Sequence, residues 1–548
     1  MEVCGRPART RAPGPSHLFA ETVLRGAWIL IMLAPAVLTS CAKGKAPLSP
    51  YPLENPTPQL IRGLEVYQEQ CAPCHGTGGR GDGPAAYLLN PHPRDFTSGT
   101  FRLTSTESGM PNDADLERSI RLGLPGSAMP PWGYLAQSEI EALILAVRYL
   151  ALEGKAETLM GEQQITRDAA LKTAAGALTP GDPVEVPAKP PSAAINVEHG
   201  QELFVKSCAP CHDVDGRGRL RTDMVDGSGF PIFARDFTQG IFKGGSNDEL
   251  LALRIVRGLP GSPMPALPYG AADLWSIVGY VETLIKPGAQ MRVQQTQATV
   301  EAARVSGALP ADPADTAWTR THSYFLPVMP LWWRTDRIAG LDVAVLRDGR
   351  SLAIRVEWKD ETADVQQLDQ AAFSDGVALQ FSNRENPPPL SMGAPDGDVN
   401  IWYWRAALDS EAAQGYAVLA DVHPNMPTDA ADAYPGVPNE ITFMTAAAVE
   451  NPVATSDSRT PVENLYAAGF GTLTTVPSTV HSVAGVARRT IHGWQVVFTR
   501  ALAGGAAGNV DLSGVKPVAI GFAVWDGHAG DRNGQKSITI WHKLQLGS

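Results

Sequence analysis

At 548 residues the chain is too long for one ordinary core, and a prior of roughly 150 residues per domain predicts three or four units. Its 44% hydrophobic and 19% charged residues are those of a soluble globular protein, and its 45 prolines point to ordered connectors rather than compact helical bundles. A formal net charge of −12 argues against nucleic acid as a partner.

The chain opens on a basic region with Arg6, Arg9, Arg11 and Arg25, followed by a short apolar stretch from Gly26 to Val37. This reads as a signal peptide over residues 1–40, because a spanning helix needs about 20 apolar residues and this run is shorter and contains Pro35. Leu38-Thr39-Ser40-Cys41 resembles the bacterial lipobox, which implies cleavage before a lipidated Cys41. The alternative is an ordinary cleavage site with an incidental cysteine. Residues 41–57 are expected to be a polar, proline-containing tether, placing the domains on the periplasmic side of a bacterial membrane. Ala42, where enterobacterial inner-membrane lipoproteins carry aspartate, favours the outer membrane.

Residues 58–154 recur in altered form as residues 195–286, separated by an Ala/Pro/Thr-rich linker at 155–194. Gly63, Tyr67, Cys71-Ala-Pro-Cys-His75, Arg94-Asp-Phe-Thr97, Gly123-Leu-Pro-Gly-Ser127 and Met129-Pro130 are answered in order by a second set. That set is Gly200, Phe204, Cys208-Ala-Pro-Cys-His212, Arg235-Asp-Phe-Thr238, Gly258-Leu-Pro-Gly-Ser262 and Met264-Pro265. In each unit two cysteines three positions apart can reach both vinyl groups of one porphyrin while the adjacent histidine faces the iron. Cys71, Cys74, Cys208 and Cys211 are therefore expected to hold two covalent haem c groups, with zinc or thioredoxin-like chemistry as the alternative. A capping box at Ser138-Glu-Ile-Glu141 and helical spacing of Ile140, Leu143, Ile144 and Val147 predict a closing helix, matched by Leu274, Ile277, Val278 and Val281. Gly63 and Gly200 mark places where a crossing helix comes close.

Both repeats resemble class I cytochrome c domains. The resemblance implies small all-α folds with axial pairs His75/Met129 and His212/Met264, methionine being a soft ligand that favours ferrous iron. Arg94 and Arg235 then become candidates for haem propionates, with plain surface ion pairs as the alternative, and the unmatched His92 reads as a surface histidine.

Residues 287–315 are expected to be a second linker, and from 316 to 548 the pattern becomes extended. Leu341–Leu346 and Ser351–Trp358 flank Asp348-Gly349 as a hairpin. Further strands are expected at Val377–Phe381, Val399–Trp404, Trp494–Thr499, Val518–Trp525 and Ser537–Trp541, which makes an antiparallel β-sandwich. Trp333-Arg-Thr-Asp-Arg337, Glu357-Trp-Lys-Asp360, Phe373-Ser-Asp-Gly376, Met392-Gly393, Trp402-Tyr-Trp404, Gly493-Trp494, Phe522-Ala-Val-Trp-Asp-Gly527 and Lys536-Ser537 resemble the haem-b-binding gamma subunit of the type II dimethyl sulfoxide reductase family. That family includes ethylbenzene and dimethyl sulfide dehydrogenases, selenate and chlorate reductases and nitrite oxidoreductases. The resemblance implies a non-covalent haem b held by Met392 and Lys536, the alternatives being a packed loop methionine and a solvated strand-end lysine. An insertion at roughly 408–490, with His423 and His481, departs from the compact pattern.

These readings point to a multidomain electron carrier without catalytic residues. It would relay electrons between molybdopterin/iron–sulfur subunits of a periplasmic molybdenum oxidoreductase and a soluble or membrane redox partner. The alternative is a diheme c-type carrier whose sandwich is a haem-free carbohydrate- or protein-binding module.

Overall fold

The computed structural model describes residues 47–334, 336–366, 371–390, 392–394, 397–414, 425, 461–476, 483–504 and 508–547. Cys41 with the expected signal segment, and His423 and His481, lie outside the described residues.

The first helical unit consists of α1 (Pro58–Gln70), α2 (Ala72–His75), α3 (Asp113–Leu122) and α4 (Gln137–Gln163). Thr57 caps α1 by accepting from the Leu60 amide at 3.1 Å, with Pro58 at the first helical position, where its missing N–H costs nothing. After α5 (Arg167–Ala177), the second unit repeats the arrangement with α6 (Val197–Ser207), α7 (Ala209–His212), α8 (Asp248–Arg257) and α9 (Ala271–Thr283). The expected stripes are both interior: Ile140, Leu143, Ile144 and Val147 pack with Leu64 and Tyr67, and Leu274, Ile277, Val278 and Val281 pack with Phe204. The two conserved-in-repeat glycines are helix crossings. A Cβ on Gly63 would fall 2.0 Å from the carbonyl oxygen of Ala142, and one on Gly200 would fall 1.9 Å from that of Ser276.

Several expected boundaries shift for identifiable reasons. Helix α4 starts before Ser138, at an Ala136 cap whose amide donates to Glu139, so Glu139 supplies the reciprocal half of a box without a side-chain cap. The expected linker at 155–194 begins with the end of α4 and contains α5, joined by Ala156, Leu159, Ala170 and Ala174 and by an Arg167 fork onto Glu153 at 2.7 and 3.0 Å. Its small apolar residues leave little amphipathic signal although they bury well. The expected tether is also bound from residue 48 onward: Tyr51 is buried and donates to Gly78 O at 3.2 Å, and Gln68 donates to Leu48 O at 3.0 Å.

The C-terminal region forms two facing sheets. One runs β11 (Ala484–Thr490), β12 (Gly493–Ala501), β6 (Ser351–Lys359), β5 (Gly340–Arg347) and β2 (Ala303–Arg304), with β3 (Tyr324–Pro327) also on β5. The other runs β1 (Thr299–Glu301), β15 (His542–Gln545), β13 (Val518–Trp525), β7 (Gly376–Ser382), β8 (Val399–Arg405), β9 (Val462–Ala467) and β10 (Thr474–Thr475). β14 (Ser537–Ile538) joins it through β13 and carries β4 (Met329–Pro330). Pairing is antiparallel except where β1 and β2 lie parallel to β15 and β5. The expected linker at 287–315 therefore supplies an edge to each sheet. Of the expected strand at Ser537–Trp541 only Ser537–Ile538 forms a strand, β14, with β15 beginning just beyond it at His542, and the insertion returns to the fold as β9 and β11. Alternation puts Val356, Trp358, Val377, Leu379, Phe381, Trp402, Trp404, Ile520 and Phe522 between the sheets.

Three strings singled out in the sequence meet at one buried carboxylate. Asp375 accepts from the Gly527 amide at 2.9 Å, the Trp494 indole at 3.0 Å and the Asp364 amide at 2.8 Å. Burial still holds it up at about 6. The strings thus hold the end of the sandwich together.

Candidate haem sites

In each helical unit the cysteines lie where two helices meet. The Cys71 amide donates to Tyr67 O at 2.8 Å, closing α1, and its carbonyl accepts from Cys74 and His75 at 3.1 and 2.9 Å, opening α2. Cys208 makes the same three bonds with Phe204, Cys211 and His212 at 2.8, 3.1 and 2.9 Å. No disulfide joins these four cysteines. Burial pushes Cys71 up to about 12 and Cys74 and Cys208 up to about 11.

The histidines are held by the Arg-Asp-Phe-Thr string, in a way the sequence reading did not assign. His75 Nδ1 lies 2.9 Å from Arg94 O, and His212 Nδ1 lies 3.2 Å from Arg235 O. A carbonyl only accepts, so Nδ1 carries the proton and Nε2 is left with its lone pair. Phe96 stacks on the His75 ring at 4.7 Å and Phe237 on the His212 ring at 4.3 Å. Asp95 fixes the turn by accepting from the Thr97 amide and hydroxyl at 2.8 and 2.7 Å, and Asp236 does so for Thr238 at 2.9 and 2.6 Å. Burial lowers the pKa of both imidazoles, favouring the neutral form that can coordinate a metal.

The Met129 and Met264 loops are equally alike. Leu124 N donates to Met129 O at 3.0 Å, while Ser127 bridges Leu124 O and Met129 N at 2.6 and 3.3 Å. In the second loop Leu259, Ser262 and Met264 repeat these bonds at 3.1, 2.7 and 3.3 Å. Gly123 and Gly258 enter the loops at φ 61° and 66°, where a Cβ would lie 2.5 and 2.6 Å from the backbone around Pro130 and Ala266. Met129 packs against the first core beside Cys71 and Phe96. His92 is an exception to its expected role: its ring stacks on Phe230 of the second unit at 3.9 Å instead of standing free on the surface.

In the sandwich, Met392 and Lys536 reach one apolar patch on the outward face of the β13–β7–β8–β9 sheet. Met392 packs on a cluster containing Ala378, Ile401, Leu465, Trp525 and Trp541, and the Lys536 ammonium lies 4.9 Å from the centre of the Trp525 ring. Burial holds Lys536 down at about 8, moving it towards the neutral amine. Trp402 and Trp404 point into the core, and the outward aromatics are Tyr403 and Trp525, whose rings are 4.7 Å apart, together with Trp541. The patch is floored by Ala378, Ala519 and Ala523 with Gly521 between them, a small-residue alternation legible in β13 that the strand assignment left unused.

The first helical unit docks beside this patch. Gln70, just before Cys71, donates to Pro387 O at 3.2 Å, in the loop that leads to Met392. Asn90 donates to Leu331 O and accepts from the Trp333 amide at 2.9 and 2.8 Å, and Leu331 N bonds the carbonyl of Lys536 at 2.9 Å.

Comparison with known proteins divides the chain in the same way. Residues 58–145 match the family model for "Cytochrome C oxidase, cbb3-type, subunit III", residues 197–284 the model for "Cytochrome c", and residues 330–537 the model for "Ethylbenzene dehydrogenase". The chlorate reductase subunit gamma of Ideonella dechloratans is 28% identical over 266 residues, covering 47% of this chain and 89% of that protein. A Haloferax mediterranei protein named as a respiratory nitrate reductase heme subunit is 26% identical over 245 residues, covering 43% of this chain and 69% of that protein. A chain of the Kuenenia stuttgartiensis reducing HAO-like protein complex is 31% identical, with 41% of this chain and 96% of that chain covered at a TM-score of 0.34. The protein thus joins two cytochrome c domains to a gamma-subunit-like domain of the ethylbenzene dehydrogenase family.

Proposed function

We propose that the chain is the haem-carrying electron-transfer subunit of a molybdenum oxidoreductase, with two c haems and one b haem. Cys71 and Cys74 hold the first c haem and Cys208 and Cys211 the second, with His75/Met129 and His212/Met264 as axial ligands; Met392 and Lys536 hold the b haem. Haem iron supplies reversible one-electron chemistry at each site. The donor sets suit it: imidazoles fixed in the right tautomer, neutral thioethers on braced loops, and a lysine that burial moves towards its coordinating form. The names of the two relatives, a chlorate reductase gamma subunit and a nitrate reductase haem subunit, support the partner class.

The observation that carries this reading is the seat of the first cytochrome domain on the very segments that bear Met392 and Lys536. A haem-free carbohydrate-binding sandwich has no need of a cytochrome there. Acidified ketone removes non-covalent haem and leaves thioether-linked haem, so it separates the two classes. Lys536→Ala and Met392→Ala should each lose the extractable haem or change its spectrum while both c haems stay. An unchanged b spectrum in the Lys536 variant would remove this lysine as a ligand.

A further inference from the structure

The two cytochrome domains face each other through equivalent loops. The Gly126 turn of the Met129 loop lies against Arg235, where a Cβ would be 2.6 Å from Nη1, and the Gly261 turn of the Met264 loop lies against Thr100, with a Cβ 2.7 Å from Cγ2. Arg257 Nε donates to Thr106 O across the interface at 3.1 Å.

Four cations occupy corresponding places in this interface. Arg94 and Arg235 open the two histidine-bracing strings, and eight residues later Arg102 and Lys243 follow Phe101 and Phe242. Lys243 is faced by Arg235 of its own unit and by Arg102 and Arg94 of the other, which with burial holds it down at about 7. The Arg94 guanidinium faces that of Arg102, and the Arg235 guanidinium faces that of Arg337. The nearby carboxylates do not balance them. Asp226 pairs with Arg102, while Asp95 and Asp236 cap their own threonine turns. Arg102 Nε is buried without a partner, Arg235 donates only to neutral acceptors, Ile241 O at 2.7 Å and Gln239 Oε1 at 3.0 Å, and neither the Arg94 guanidinium nor the Lys243 ammonium has a hydrogen bond or ion pair among the described residues. Clustered, half-buried cations of this kind are costly unless anions join them.

We propose that the missing anions are the propionates of both c haems, which meet between the two cytochrome domains at Arg94, Arg102, Arg235 and Lys243. The proposal rests on the reading of both units as haem c sites, and it deepens that reading: each unit's cations serve the other's haem as well as its own. The two haems are therefore electrostatically coupled through one shared pocket. A positive charge beside a propionate favours the ferrous state, so removing it lowers the potential.

Spectroelectrochemical titration of the full-length holoprotein tests this with Lys243→Gln and Arg102→Gln, with covalent haem counted in each sample. Each variant should keep two c haems and move both c-haem waves to lower potential, and Lys243→Arg should restore the wild-type waves. A shift in only one wave, a different one in each variant, would overturn the sharing, and unmoved waves would remove the propionates from the pocket altogether. Wild-type protein lacking two covalent haems would instead overturn the underlying haem assignment.

Discussion

The Arg-Asp-Phe-Thr string does its work mostly through atoms that are not specific to its arginine. The Arg94 and Arg235 carbonyls orient the imidazoles, the phenylalanine rings stack on them, and the aspartates lock the turn. A repeated string shows that a site exists, but a main-chain carbonyl carries no side-chain identity, so this role could not be read from the letters. The methionines were legible because loop, serine brace and proline all recur. Met129→Ala and Met264→Ala should each abolish about half of the weak sulfur-to-iron charge-transfer absorption of the oxidised protein, since each removes one thioether of an equivalent pair. Absorption unchanged in both variants would move the axial ligands elsewhere.

Among the elements, the helix crossings α1/α4 and α6/α9 set the frame on which the histidine-bearing turns sit. At both crossings a glycine brings a helix within reach of the facing carbonyl, so a methyl group has nowhere to go without backbone movement. Gly63→Ala and Gly200→Ala should each destabilise their own unit by about 1–3 kcal/mol, the usual cost of overpacking. Denaturant unfolding followed by circular dichroism checks this, and a wild-type midpoint for either variant would contradict the close crossing. These glycines could be found because each lies four residues before an aromatic in a repeat. Helix α5 could not, because its contact is made through alanines, which look alike in a helix and in an alanine-rich linker. The outward patch of the sandwich was missed for a related reason. Trp402 and Trp404 are the conspicuous letters of their strand and point into the core, whereas the outward face is lined by the small Ala378, Ala519, Gly521 and Ala523.

For the whole molecule, the residues from Leu48 onward form one unit, so the two cytochrome domains and the sandwich are packed together and not strung on free linkers. Contacts run from the Met392 and Lys536 segments to the first cytochrome domain, and from there across the cationic interface to the second. Such packing would keep the proposed haem sites in one body, with no docking step between them. Attachment to a membrane is a separate expectation that rests on the lipobox at Cys41. Cys41→Ser should release the protein from carbonate-washed membranes, and retention of that variant would count against a lipid anchor.

Whether one chain carries three haems of two chemical kinds is decided by a haem inventory. Purified wild-type protein is extracted with acidified ketone, and both fractions are quantified as pyridine haemochromes per chain. One b-type haem in the extract and two c-type haems retained on the protein are expected. Two retained c haems with none extracted would contradict this and leave a diheme carrier with a haem-free sandwich.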